Sequence, residues 1–247
     1  MGHIKPAAIL NDTVATLLCA AYQDQHADAG SICGTGYNAC LLDSQGRIIN
    51  LEAGNFFTDL LPVNQYDAQL DLASVNSGHQ RLEKMVSGAY LGELFRLMAV
   101  DLAHQDDRFP GLRHLEKPLA EPGSIDTREL SSLLAGGAMT IGASPYQPDP
   151  DETDLISSLV RDLVIRAARL VAASQAGMIC YLDPRLQRRH LFGIDGALYE
   201  KMPLFAPHIR TALDEQWSGQ AHQVEIRLMK DASGLGAALA ALMATGP

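Results

Sequence analysis

The chain predicts an α/β layered domain, and three observations carry that reading. Strand-like runs at residues 31–42, 190–194 and 224–229 are bounded by glycine or Asp-Gly turns. Two stretches, 79–105 and 151–176, repeat apolar residues at the helical period. Hydrophobic residues make up 47% of the 247 positions against 19% charged, enough to build a core and too apolar for a disordered chain.

Taken in order, residues 5–10 (ending Pro6-Ala-Ala-Ile-Leu10) read as a buried strand. Residues 13–22 read as a helix, with Asp12 at the junction. A carboxylate there caps a helix or stands free for chemistry. Gly30 closes a polar turn, and 31–42 returns as one strand interrupted by Gly34-Thr35-Gly36. Glycines inside a strand mark a bulge or a close ligand, and free N–H groups beside a hydroxyl make a small anion cradle. Arg47 to Leu51 forms a hairpin with that strand through the Ser44-Gln45-Gly46 turn.

Glu52 follows at the strand end, either aimed into a cleft or solvated. A short helix spans residues 65–72, and Gly78 breaks the chain. Residues 79–105 read as one long helix, with Glu83 in its first turns as a dipole partner or a ligand. Residues 109–123 form a Pro/Gly-rich connection, and 126–131 a capped short helix. Residues 135–150 are a loop. After the helix at 151–176, residues 177–182 read as a strand, 190–194 as another, and Asp195-Gly196 as a hairpin turn. Residues 202–217 are helical and 224–229 a strand. The turn Asp231–Gly236 opens a last helix at 237–243, giving either an anion site or tight packing.

The formal net charge of −10 with no basic stripe argues against nucleic acid. No continuous apolar run reaches the roughly 18 residues of a membrane span, and the N-terminus lacks a signal-peptide core. A cytoplasmic chain with no membrane partner is expected. Cys19, Cys33, Cys40 and Cys180 show no CxxC spacing and are expected as free thiols. The scattered histidines offer no zinc pattern, so no protein-held metal is expected.

Six segments, in order, resemble the ATP-dependent hexokinase and glucokinase family. They are Asn11-Asp-Thr-Val14, Cys33-Gly-Thr-Gly-Tyr-Asn-Ala-Cys40, Ile49-Asn-Leu-Glu52 with Gly54, Glu83-Lys84 followed by 87–96, Gly193-Ile-Asp-Gly196, and Ser233-Gly-Leu-Gly-Ala-Ala238. The resemblance implies an actin-like ATPase (RNase H-like) large domain, a mixed sheet with flanking helices. It covers residues 1–247 as a C-terminal portion, incomplete at its N-terminus. The family's Asp-Leu-Gly-Gly-Thr phosphate loop and small domain are not found in this sequence.

By the same resemblance, Asp12 is the catalytic base toward the sugar 6-hydroxyl, and Asn11, Asn38, Glu52, Gln80 and Glu83 are hexose ligands. Carboxylates accept from hydroxyls while amides do both, which suits a polyol. Gly34, Thr35 and Gly36 contact the transferred phosphate, Thr127 and Ser131 the nucleotide, and Ser233 and Gly234 its adenosine side. ATP is the implied donor, with Mg²⁺ carried on it, and hexose the implied partner. The sequence departs from the family at Ala53, where Trp is frequent, and at Leu235, where a cation is frequent. The reading is phosphoryl transfer from ATP to a hexose, weak or absent in this chain alone. The alternative is a non-catalytic hexose-binding protein. An uncovered apolar face would invite self-association.

Overall fold

A computed structural model describes residues 6–105 and 107–245, so residue 5 of the expected first strand and the N-terminal residues 1–5, read as lacking a signal-peptide core, lie outside the described residues. In chain order the elements are α1 (Asp12–Gln23), β1 (Ala27–Cys33), β2 (Tyr37–Leu42), β3 (Ile48–Asn50), α2 (Gln65–Ala73), α3 (Arg81–Val86), α4 (Leu91–Gln105), α5 (Pro110–His114), α6 (Glu116–Ala120) and α7 (Thr127–Leu134). After these come β4 (Thr140–Ile141), β5 (Ser144–Pro145), α8 (Pro150–Leu182), β6 (His190–Asp195), α9 (Ala197–Lys201), α10 (Phe205–Gln216), β7 (Val224–Leu228) and α11 (Ala232–Thr245). Two compact units result. One comprises Met1–Ala53, Ala172–Glu200 and Arg210–Pro247, the other Gly54–Val171 and Lys201–Ile209.

The first unit is built on a five-stranded sheet in the order β3-β2-β1-β6-β7. β1, β6 and β7 run parallel, and the β1-β2-β3 meander adds the antiparallel edge. This is the mixed sheet with flanking helices that the sequence led us to expect. Helix α1 lies on the sheet closer than a side chain would allow. A Cβ on Gly30 of β1 would stand 2.6 Å from the Thr13 carbonyl, and one on Gly193 of β6 would stand 2.8 Å from the Ala20 methyl. Across α1 from the sheet, a Cβ on Gly236 of α11 would stand 2.0 Å from the Ala15 carbonyl. Small residues thus let α1 be held from both sides, and Cys19, Ala20, Ala27, Leu191, Met229 and Ala232 fill the space between.

The second unit is helical, with α4 packed against α2, α5, α6 and α7. Leu91, Leu94 and Phe95 bury its inner face. Asn64 and Asp67 form a reciprocal capping box at the start of α2. Asp67 also takes a bidentate pair from Arg166 at 2.7 and 2.8 Å.

Several boundaries differ from the sequence expectation. Residues 6–10 are not a strand: they are irregular, and Ile9 is 94% exposed, so the apolar run has no sheet partner here. Gly30 lies inside β1, and the single strand at 31–42 is two strands joined by Gly34-Thr35-Gly36. The 79–105 helix is broken into α3 and α4, because Ser87 leaves the helix in extended conformation. The connection at 109–123 holds two short helices, α5 and α6, and the 135–150 loop a two-stranded ribbon of β4 and β5. Residues 177–182 are the last turns of α8 rather than a strand, since Met178 and Ile179 continue its buried stripe. Asp195-Gly196 leads into α9, not a hairpin, and the helix expected at 202–217 is α10, which begins only at Phe205. The last helix begins at Ala232, not at 237.

Although no unbroken apolar run is that long, α8 has the length and composition of a membrane-crossing helix, and half of its apolar window is buried in the fold. Three cysteines are buried and Cys180 is exposed, all four as free thiols.

Gly236→Ala is expected to destabilise the chain by about 1–3 kcal/mol, the usual cost of overpacking against backbone. Gly234→Ala, where a Cβ meets nothing within 4 Å, is expected to gain about 0.5–1 kcal/mol from helix propensity. Urea unfolding of both variants reads the opposite signs.

Candidate active site

The carboxyl ends of β1, β3, β6 and β7 fall along one edge of the first unit's sheet, the edge where open α/β sheets carry their ligands. The residues singled out in that unit gather there. The Gly34-Thr35-Gly36 turn follows β1, with Gly34 N–H donating to the Gly36 carbonyl at 3.0 Å and Thr35 exposed at the apex. Beside it, Gly196 adopts φ +125°, and a Cβ there would stand 2.3 Å from the Cys33 carbonyl. Glycine at 196 is therefore what allows the turns after β1 and β6 to lie together.

Asp195, at the end of β6, was not assigned a role from the sequence. Its carboxylate accepts from Gly196 N–H at 2.7 Å and from Ala232 N–H at 3.2 Å. The start of α11 is thus capped from a neighbouring strand. Asp195 therefore already takes one N–H of the Asp231–Gly236 turn. Ser233 and Gly234 sit exposed in the first turn of α11, on this same edge.

Asn11 and Asp12 open α1, and here the structure decides between two similar residues. Asn11 is the N-cap: its Oδ1 accepts from Thr13 N–H at 2.9 Å and from the Thr13 hydroxyl at 2.6 Å. Asp12, which the sequence placed at the cap, is the exposed first helical residue, with one carboxylate oxygen accepting from Thr13 N–H at 2.9 Å. The Thr13 carbonyl receives the Cys40 thiol at 3.2 Å, which ties this helix end to β2 two residues beyond Asn38. Burial, with Asp12 adding its charge, pushes the Cys40 thiol up to about 11, and burial pushes Cys33 up to about 12.

Asn38 and Glu52 are joined by a residue that sequence reasoning missed. Asn38 Nδ2 donates to Asn50 Oδ1 at 2.9 Å, and Asn50 Nδ2 donates to Glu52 Oε1 at 2.6 Å. Asn38 Oδ1 accepts from Ala39 N–H at 2.7 Å and Ala53 N–H at 2.9 Å. Glu52 holds a left-handed backbone at φ 48°, costly for a non-glycine residue. The only signal available was that Asn50 stood inside a matching segment.

In the second unit, Gln80 precedes α3, also left-handed at φ 53°, and its N–H donates to Asn55 Oδ1 at 2.9 Å. Glu83 lies in the first turn of α3, and the neighbouring Tyr90 hydroxyl is raised by burial and then by the charge of Glu83. The loop before α3 is fastened by Asp71, which accepts from Lys84 Nζ at 2.7 Å and from Gly78 N–H at 3.0 Å. Burial pushes the Asp71 carboxyl up, but the Lys84 ammonium, Gly78 N–H and Arg81 together hold it below its ordinary range.

Thr127 opens α7, and its hydroxyl oxygen accepts from Gly92 N–H at 2.8 Å. Ser131, one turn on, donates to the Lys201 carbonyl at 3.2 Å. Both hydroxyls therefore carry structural bonds. Thr127 and Ser131 share a helix face, and Gln80 and Glu83 share the α3 entry.

The model that describes the hexokinase family matches residues 28–243. The chain belongs to the hexokinase family. It is 33% identical to hexokinase-7 of Oryza sativa subsp. japonica over 96% of its own length and 57% of that protein. It is 32% identical to hexokinase-2 of Rattus norvegicus over 96% of its length and 28% of that protein. Among solved structures, the Schistosoma mansoni hexokinase complexed with glucose superposes with a TM-score of 0.80 at 29% identity, covering 97% of this chain and 57% of that one. The fold is accordingly the actin-like ATPase type. The chain spans little more than half the length of the rice and schistosome hexokinases and about a quarter of the rat one.

Two outcomes are expected. Lys84→Met takes the ammonium from the buried Asp71 carboxylate, leaving it Gly78 N–H and Arg81, and should cost about 3 kcal/mol in urea unfolding, where a loss below about 1 kcal/mol would remove the pair from this role. At pH 8, an aromatic disulfide reagent should titrate one thiol in the folded chain, Cys180, and four in urea, because the raised Cys33 and Cys40 thiols stay protonated and buried.

Proposed function

We propose that this chain provides the large-domain part of a hexokinase, transferring the terminal phosphoryl group of ATP to the 6-hydroxyl of a hexose such as glucose. The observation that carries the reading is the division of labour at the start of α1. Asn11 takes the N-cap position, which leaves Asp12 as the exposed first residue of the helix. An exposed carboxylate, steadied at one oxygen by Thr13 N–H, is what a general base toward a sugar hydroxyl requires.

In this reading Asn11 offers its amide N–H to the hexose, its oxygen being occupied by Thr13. Asn38 and Glu52 bind hydroxyls from the ends of β2 and β3. The roles given to Gln80, Glu83, Thr127 and Ser131 rest on the family pattern, as do those of Ser233 and Gly234. Thr35 with Gly34 and Gly36 contacts the transferred phosphate. Mg²⁺ travels on the nucleotide's phosphates and supplies charge neutralisation there, one or two protein oxygens being enough to anchor it. Loss of the frequent cation at Leu235, which is 45% exposed, weakens the adenosine side.

A second reading, hexose binding without turnover, is favoured by one observation. The Asn38–Asn50–Glu52 relay is preformed within the first unit alone.

The test is glucose-dependent ADP release from ATP and Mg²⁺ by the 247-residue chain beside its Asp12→Asn variant. The variant is expected to lose about 10²–10⁴-fold, the worth of a positioned base. An equally active Asp12→Asn variant would sink the assignment. No turnover by either chain, with glucose still raising the melting temperature, would put the binding reading first.

A further inference from the structure

We propose that Asn50 is a positioning residue of the hexose site, fixing which way the Asn38–Glu52 pair presents its donors and acceptors. The inference rests on the reading of Asn38 and Glu52 as hexose ligands.

Strand register places the three side chains together. Cys40 pairs with Asn50 across β2 and β3, so Asn50 is the diagonal neighbour of Asn38 on one sheet face. Glu52 lies two residues beyond Asn50. The direction of the relay is then forced from the backbone outward. Ala39 and Ala53 N–H can only donate, so the end of Asn38 they touch must be its oxygen. Its Nδ2 therefore points at Asn50 and donates, which makes the facing atom of Asn50 its oxygen. The remaining end of Asn50 is its NH₂, and it donates to Glu52 at 2.6 Å. Glu52 is left as a carboxylate whose other lone pairs accept, and Asn38 keeps one N–H to give.

A fold has little to gain from this arrangement. Asn50 and Glu52 are exposed, where hydrogen bonds compete with water, and Glu52 holds an unfavourable left-handed backbone. Fixing a carboxylate in a strained, solvent-facing position reduces the reorganisation that a bound polyol would otherwise have to bring about.

The test uses Asn50→Asp and Asn50→Ala in the full chain, with D-glucose affinity measured calorimetrically at pH 8 and pH 5.5 beside thermal melts. Asn50→Asp keeps the size and the acceptor toward Asn38 but sets a carboxylate against Glu52. Two such groups share a proton as pH falls, and that proton restores the missing donor. The expected result at pH 8 is a loss of about tenfold or more for both variants. At pH 5.5 Asn50→Asp recovers severalfold while Asn50→Ala does not, and the unmodified chain shows no such gain. A packing defect cannot produce that rescue, so the pH comparison within folded Asn50→Asp decides the matter even if Asn50→Ala is poorly folded. Unchanged affinity in Asn50→Asp, or a deficit equal at both pH values, overturns the positioning role and leaves the hexose reading standing. Absence of glucose binding by the unmodified chain overturns the hexose site and this role with it.

Discussion

The seat of α1 on the sheet is the constraint from which the rest of the first unit follows. Three glycines from three different elements, Gly30, Gly193 and Gly236, meet one helix at distances that no side chain could occupy. Close approach brings dispersion contacts to backbone atoms on both sides of α1, and the small core residues Cys19, Ala20, Ala27 and Ala232 exploit it. The depth of that seat fixes the height of the helix start above β2, which the Cys40–Thr13 bond records. The packing of α1 carries Asn11 and Asp12 to their position, and their bonds to Thr13 orient their side chains there.

The two ends of the parallel strands divide the polar work. At the amino ends, Asp24 takes Arg189, Arg227 and His26, while Glu225 pairs with the same two arginines. Buried His190 lies between Asp28 at 2.6 Å and Asp183 at 3.3 Å. Charges there are matched to one another and close the end of the sheet. At the carboxyl ends the acidic groups are set against backbone N–H or amides instead: Asp12 on Thr13, Asp195 on Ala232, Glu52 on Asn50. Acceptors held by neutral donors remain available to a ligand; acceptors held by arginine are spent on the fold.

The sequence made the α/β layering legible because strand runs and helical periods are local. It made the candidate residues legible because they stand in ordered segments. What it hid depends on tertiary contact. Asn11 and Asp12 are both good caps, and only the bonds to Thr13 show which one serves. The apolar period runs unbroken through Ser87 and Gly88, yet Ser87 leaves the helix in extended conformation and α4 starts afresh at Leu91. Gly177 looked like a boundary, but a Cβ there would meet nothing within 4 Å, and the helix simply passes through. Asn50 gave no signal because its importance lies in a diagonal across two strands, a matter of register that hydrophobic pattern does not record. The run at 6–10 has the composition of a strand, but a strand also needs an edge to join.

The strand order has a consequence for the time course of synthesis. β1 pairs with β6, as Ile32 with Asp195, so the central contact of the first unit closes a loop of about 160 residues. At roughly 5–20 residues per second, the β1–β2 hairpin and α1 leave the ribosome roughly ten seconds or more before their parallel partner and before the α11 cover exist. Most of the second unit, Gly54–Val171, is contiguous and emerges in that interval. The nascent chain must therefore carry an unfinished sheet edge and the bare apolar side of α1 while the helical unit folds. That window is when chaperone capture or mispairing would act on this protein.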